Sequence, residues 1–271
     1  MRRLLKALVF LCLPLAGHAQ ESPLHMLATA DETRGLEAVG RIDIGQTGFC
    51  TGTLIAPDRV LTAAHCLYDN ATGKPYPVSA FRFMAGLRNG RAAAYRGVRR
   101  AMAHPDYDFS AADRAVRVTY DLALLQLDQP IRLPSLPPFA AGGDPLKGES
   151  VAILSYGIDR SEAPSLENNC QILGRQPGVF VMSCLVEFGS SGAPVFQMRD
   201  GKPAIVSVVS AKAEMDGRPV ALGATLEQPL AELEVAFAQG DGQFRTVAKG
   251  LGFGAGRSDG TGPGGAKFLK P

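Results

Sequence analysis

The sequence predicts an all-β fold of antiparallel barrels with a short C-terminal helix. Three observations lead there. About eleven short runs rich in Val, Ile, Leu, Phe and Tyr alternate with clusters of Gly, Pro, Asn and Asp. No long stretch carries a helical period of apolar residues. A Pro- and Gly-rich segment, Leu133 to Asp144, divides the runs into two sets. Many short strands with turn signals between them suit barrels better than an open sheet.

In chain order, the expected strands are Gly40–Ile44, Phe49–Ile55, Arg59–Thr62, Phe81–Ala85, Ala93–Met102 and Leu122–Leu127 before the divide. After it come Ser150–Tyr156, Val179–Leu185, Pro194–Gln197, Ala204–Ser210 and Pro219–Leu226. A single helical turn is expected around Ala63–Tyr68. A helix is expected over Pro229–Ala238, where Leu230, Leu233, Val235 and Phe237 fall at helical spacings. Residues 20–36 are polar and unpatterned, a lead-in or pro-segment. Residues 240–271 are dense in glycine and poor in apolar residues, which predicts a disordered tail.

The N-terminus has the layout of a secretory signal. Arg2, Arg3 and Lys6 precede an apolar run from Ala7 to Leu15, and Gly17-His18-Ala19 is a small-x-small cleavage site. Cleavage after residue 19 removes three basic side chains and leaves 25 basic against 26 acidic ones, a net charge of −1. That balance does not suit a nucleic-acid or anionic-lipid partner. The cluster Arg96, Arg99 and Arg100 reads as a solvated strand edge. No later stretch reaches the roughly 20 apolar residues of a membrane span. Export to the periplasm or the medium is expected, and it permits disulfides. Of five cysteines, Cys12 leaves with the signal. Four cysteines allow three connectivities; the pairs Cys50–Cys66 and Cys170–Cys184 close short local loops, each stabilising by about 3 kcal/mol in the chain-entropy model. No Cys-x-x-Cys is present and the spacing to His does not suit zinc, so neither metal nor other cofactor is expected.

Three segments carry chemistry. They are Leu61-Thr62-Ala63-Ala64-His65-Cys66, Asp121-Leu122-Ala123-Leu124-Leu125 and Gly189-Ser190-Ser191-Gly192-Ala193-Pro194. A hydroxyl is a poor nucleophile at neutral pH; it needs an imidazole to take its proton and a third group to fix the imidazole's tautomer. Taken singly, each segment is ordinary turn or capping chemistry. Together, in one exported all-β chain, they supply a base, its orienting carboxylate and a nucleophile between glycines, with base and nucleophile on opposite sides of the divide.

These segments resemble those of the chymotrypsin-like (trypsin-like) serine peptidases, and Phe49 to Ile55 is similar to the strand holding that family's first cysteine. The resemblance covers about 39–237. It implies two packed six-stranded antiparallel β-barrels with the site in the cleft between them. It also implies roles: Ser191 as nucleophile, His65 as general base and acid, Asp121 as orienter, and the backbone N–H groups of Gly189 and Ser191 as the oxyanion hole. Residues 206–212 would pair with the substrate as an added strand, and Leu185, Ser210, Ala211 and Lys212 would contact it. Two departures point to a bacterial subgroup. Ser190 stands where most animal members have Asp, and there is no Ile-Val-Gly-Gly start to supply the ammonium that such an Asp pairs with. Leu185 occupies the position where trypsin has an Asp, which argues against a preference for Arg or Lys. Val209 stands where glutamyl endopeptidases have a His, so no Glu preference follows. Lys212 reads as a solvated rim charge.

His25 and His104 are expected in surface roles. Asp106, Asp108 and Asp113 form an acidic loop without the ordered ligand spacing of a calcium site. The expectation is a monomeric exported serine endopeptidase acting on polypeptides through an acyl-enzyme. The rival is a non-catalytic binding or adhesion module on the same scaffold. An esterase would differ only in leaving group.

Overall fold

A computed structural model describes residues 24–240 and the backbone of 244–245. The expected signal segment, the start of the lead-in and nearly all of the tail lie outside the described residues. The strands are β1 (His25–Met26), β2 (Val39–Ile44), β3 (Gly48–Ala56), β4 (Arg59–Thr62), β5 (Phe81–Ala85), β6 (Ala94–Ala103), β7 (Ala123–Leu127), β8 (Ser150–Gly157), β9 (Arg160–Gln176), β10 (Val179–Met182), β11 (Pro194–Arg199), β12 (Lys202–Met215), β13 (Arg218–Thr225) and β14 (Phe244–Arg245). Two α-helices complete the description, α1 (Arg114–Thr119) and α2 (Glu227–Gln239).

Both sheets close on themselves. In the N-terminal half the ring runs β6-β5-β2-β3-β4-β7 and back to β6; in the C-terminal half it runs β9-β10-β13-β12-β11-β8 and back to β9. Each is thus a six-stranded antiparallel barrel. The two-residue strands β1 and β14 add to β9 and β6 from outside. Burial alternates along much of the barrel wall: in β2, Gly40, Ile42 and Ile44 are buried, and Arg41 and Asp43 between them are less so. Helix α2 lays Leu230, Leu233 and Phe237 on the core of the N-terminal barrel and ends on Gly240 at φ 87°, a left-handed cap that suits glycine.

The structure corrects several expectations. Strand β9 is absent from the sequence reading because it buries Ser165 and Glu167 where apolar residues would signal a strand. Helix α1 falls in the acidic loop; Asp113 caps it by accepting the Ala115 N–H at 2.8 Å. The lead-in is not all irregular, since β1 pairs with β9 at Leu166 and Ser165 and Leu27 is buried. His104 is buried rather than superficial. Its ring stacks on Tyr120 at 4.8 Å, and Nε2 lies 3.4 Å from Glu232. Arg100 is not a solvated charge either: it donates to the Phe237 carbonyl at 2.7 Å and lies 4.1 Å over that ring.

Candidate active site

The cleft is assembled by strand order. Strands β4 and β7 are antiparallel neighbours with Thr62 opposite Ala123. The end of one therefore meets the start of the other. His65, in the one-turn 3-10 helix Ala64–Leu67 after β4, is brought beside Asp121, just ahead of β7. Asp121 is buried, and its carboxylate is fully engaged. One oxygen accepts the backbone N–H of His65 at 2.8 Å, and the other accepts Nδ1 of the same residue at 2.7 Å and the hydroxyl of Ser210. A carboxylate only accepts, so Nδ1 carries the proton and Nε2 is left as the acceptor. Burial opposes charging of the imidazole, while the charge and hydrogen bond of Asp121 favour it; the balance raises the His65 pKa above its usual 6.5.

Ser191 comes from the loop between Cys184 and β11. Two glycines bend that loop, Gly189 at φ 95° and Gly192 at φ 79°. Space demands them as well. A Cβ on Gly192 would lie 2.1 Å from Thr62 Oγ1 and 2.3 Å from the Thr51 carbonyl, and one on Gly189 would lie 2.3 Å from the Phe49 ring. The loop is thereby pressed onto the N-terminal barrel. Thr51 donates its N–H to the Ser191 carbonyl and its hydroxyl to the Gly189 carbonyl, both at 2.8 Å. From the other barrel, Val209 accepts the Gly192 N–H at 2.8 Å. The residue before Thr51, Cys50, is joined to Cys66, the residue after His65, so one disulfide ties the seat of the serine loop to the histidine turn. Among the described residues the Ser191 hydroxyl forms no hydrogen bond of its own.

The loop's carbonyls fix where its N–H groups point. The Phe188 carbonyl accepts from Ile158 at 2.9 Å, and the Ser190 carbonyl accepts from Ala193 at 3.0 Å. In a planar trans peptide the N–H points opposite to the C=O. The N–H groups of Gly189 and Ser191 are turned away from these partners, and neither donates to another described residue.

Of the other residues singled out in the sequence, Ser210 and Ala211 line a cavity of about 200 Å³ together with His65, Asp121, Tyr107 and Arg117. Lys212 lies beside it; its ammonium pairs with Glu187 at 3.3 Å and sits over the Phe188 ring, and its carbonyl accepts from Arg114. Leu185 does not line this cavity; its N–H donates to the buried carboxylate of Glu167 at 2.8 Å. Both expected disulfides are formed. Cys50, His65 and Cys66 place ligand-type atoms within 4.8 Å of one another, but the disulfide consumes both thiolates that a metal would need. Sequence reasoning missed Thr51, Tyr107, Arg117 and Glu167. Only Thr51 had a signal, its place next to a cysteine of the histidine turn.

Comparisons with known proteins speak to the fold and the family. The chain is 25% identical over 156 residues to a glutamyl endopeptidase of Bacillus licheniformis, covering 57% of this chain and 47% of that one. It is 28% identical over 158 residues to the trypsin Blo t 3 of Blomia tropicalis, covering 54% and 53%. A modular serine protease of Drosophila melanogaster is 38% identical over 86 residues, 31% of this chain and 14% of that protein. The chain thus spans about half or less of these relatives. A solved Glu endopeptidase in complex with MPD superposes with a TM-score of 0.67 at 19% identity, over 81% of this chain and 99% of the other; at that identity the likeness speaks for the fold. The family model described as the trypsin-like peptidase domain matches residues 50–206. That span runs from Cys50 on β3, the disulfide partner of the histidine turn, past the serine loop into β12; it is more than half of the chain, and the protein therefore belongs to the trypsin-like peptidase family.

Proposed function

We propose that the protein is an exported serine endopeptidase working through an acyl-enzyme. Ser191 Oγ attacks the scissile carbonyl and passes its proton to Nε2 of His65, which then gives it to the leaving amine. Asp121 keeps the imidazole in the accepting tautomer and offsets the charge it gains. The N–H groups of Gly189 and Ser191 receive the oxyanion; one such donor lowers the barrier by about 3 kcal/mol. Water then repeats the sequence on the ester. Substrate is bound as an added strand. The pairing of β12 with β11 ends at Val208, so from Ser210 onward no strand pairs with that side of β12 among the described residues, and a peptide that pairs there displaces the Arg114 side chain from the Lys212 carbonyl. Lys212 is neutralised by Glu187, so no preference for an acidic side chain rests on it. The periplasm or the medium is the proposed location.

The observation that supports this reading is a histidine locked by a buried carboxylate, in a turn tied by a disulfide to the strand that seats the Ser191 loop, with the Gly189 and Ser191 N–H groups lacking a partner among the described residues. A fluorophosphonate probe tests it. Labelling at Ser191, abolished in Ser191→Ala together with peptide hydrolysis, is expected. A well-folded protein that neither labels nor cleaves casein belongs to the rival class of peptidase-like binding modules.

A further inference from the structure

Ser190 is fully buried, and its surroundings define an unusual anchor. Its hydroxyl lies 3.1 Å from Ser155 Oγ and 3.1 Å from Nη2 of Arg160, and it accepts the N–H of Glu187 at 3.4 Å. The same guanidinium donates to the Ser155 carbonyl at 2.6 Å and to its hydroxyl at 3.1 Å. Arg160 opens β9 directly after the tight turn from β8, and it folds back over that turn. A Cβ on Gly157 would meet its guanidinium carbon at 2.8 Å, so glycine there leaves the room. The next residue of the turn, Ile158, supplies the N–H that fixes the Phe188 carbonyl. One hairpin therefore grips the serine loop twice, by backbone at Phe188 and by side chain at Ser190. These are the residues whose peptides set the direction of the Gly189 and Ser191 N–H groups. Burial lowers the pKa of Arg160 and the charges of Glu167 and Glu187 raise it; the net shift is downward. The first described residues are occupied elsewhere: Leu27 donates to the Pro164 carbonyl and β1 pairs with β9.

We propose that Arg160 is a positioning residue for catalysis, holding the 187–191 loop through Ser190 so that the oxyanion site is assembled without any contribution from the chain's N-terminus. The proposal rests on the peptidase reading above. A neutral Ser190 fits it. A half-buried guanidinium that donates to a carbonyl and two hydroxyls, with the charges of Glu167 and Glu187 favouring it, needs no carboxylate at position 190.

The test compares Arg160→Met, Arg160→Lys and Ser190→Ala in the full exported chain. Arg160→Met is expected to lower kcat about 10- to 100-fold, with KM within about 2-fold, because the oxyanion acts in the transition state rather than in the ground state. Arg160→Lys, or guanidinium added to Arg160→Met, is expected to restore part of kcat. Hydrogen exchange of the 187–191 amides is expected to quicken in Arg160→Met. Residues added ahead of the secreted N-terminus are expected to leave kcat unchanged. Wild-type kcat in Arg160→Met overturns the proposal, as does loss of activity on N-terminal extension. If Arg160→Met does not fold, Ser190→Ala keeps the proposal open to refutation: it removes the acceptor at little change in volume, and an unchanged kcat there is equally fatal. A wild-type protein without turnover or Ser191 labelling defeats the peptidase reading itself, an outcome distinct from an active wild type with an equally active Arg160→Met.

Discussion

Replacing Asp121 by Asn tests the orientation of the base most directly. Three donors converge on this carboxylate: the His65 backbone N–H, His65 Nδ1–H and the Ser210 hydroxyl. A carboxylate accepts all three. An amide has one oxygen and one NH₂, so whichever way it is turned it presents a donor to at least one donor. With the NH₂ toward Nδ1, the ring must accept there and carry its proton on Nε2, where it can no longer take the serine proton. With the NH₂ toward the backbone, an N–H of the histidine turn loses its partner and the turn shifts. Reversing the tautomer of such a base costs about 10⁴ in rate, equivalent to about 5.5 kcal/mol in the barrier. The assay is steady-state hydrolysis of an activated peptide ester at neutral pH, alongside the rate of fluorophosphonate labelling. Both are expected to fall by three to four decades while the circular dichroism stays that of the wild type. Retention of activity within ten-fold would refute the role assigned to Asp121.

Two further outcomes follow from the same geometry. Gly192→Ala places a methyl against Thr62 Oγ1 and the Thr51 carbonyl at a positive φ. It is expected to cost about 2–4 kcal/mol in urea unfolding and to displace Ser191; a loss under 1 kcal/mol with full labelling would contradict the close packing. The raised pKa of His65 puts the acid limb of kcat/KM at a midpoint above about 6.5, since turnover needs the neutral ring. The folded pKa lies above the unfolded one. The stability contributed by the charged His65–Asp121 pair is therefore fully present below about pH 6.5 and is lost as pH rises through the folded pKa. Maximal Tm should sit on the acid side of maximal activity; coincident optima, or a limb at or below 6.5, would speak against the pairing.

Much of the architecture was legible in the residues because barrel strands announce themselves by apolar, β-branched runs between Gly and Pro turns. Arg59–Thr62 and Phe81–Ala85 are found where the sequence places them. What escaped was structure held by polar contacts at long range. Strand β9 buries Ser165 and Glu167, so its pattern is that of a loop. His104 follows no apolar period, yet it is enclosed by Tyr120 and α2. The histidine, aspartate and serine segments could be read because each is local: a few adjacent residues whose types already constrain the backbone. The anchor of the serine loop could not. Arg160 and Ser190 are 30 residues apart in the chain, and only the β8–β9 turn brings them together.

Thr51 shows why the cleft and the packing of the two barrels are a single structural problem. It is fully buried on β3, and every polar group it has is committed across the seam or beside it. Its N–H and hydroxyl hold the Ser191 and Gly189 carbonyls, its hydroxyl accepts the Tyr156 N–H of β8 at 3.0 Å, and its carbonyl accepts the Thr62 hydroxyl at 2.8 Å. An unsatisfied buried donor or acceptor costs about 1–3 kcal/mol, so the barrels have one relative placement that leaves none of these groups unpaired. That placement also sets the Ser191 loop against the end of β4, three residues before His65. The placement of the Ser191 loop relative to the His65 turn is in this way tied to buried hydrogen bonds rather than to the exposed surface of the cleft, where loops vary with little consequence for the fold.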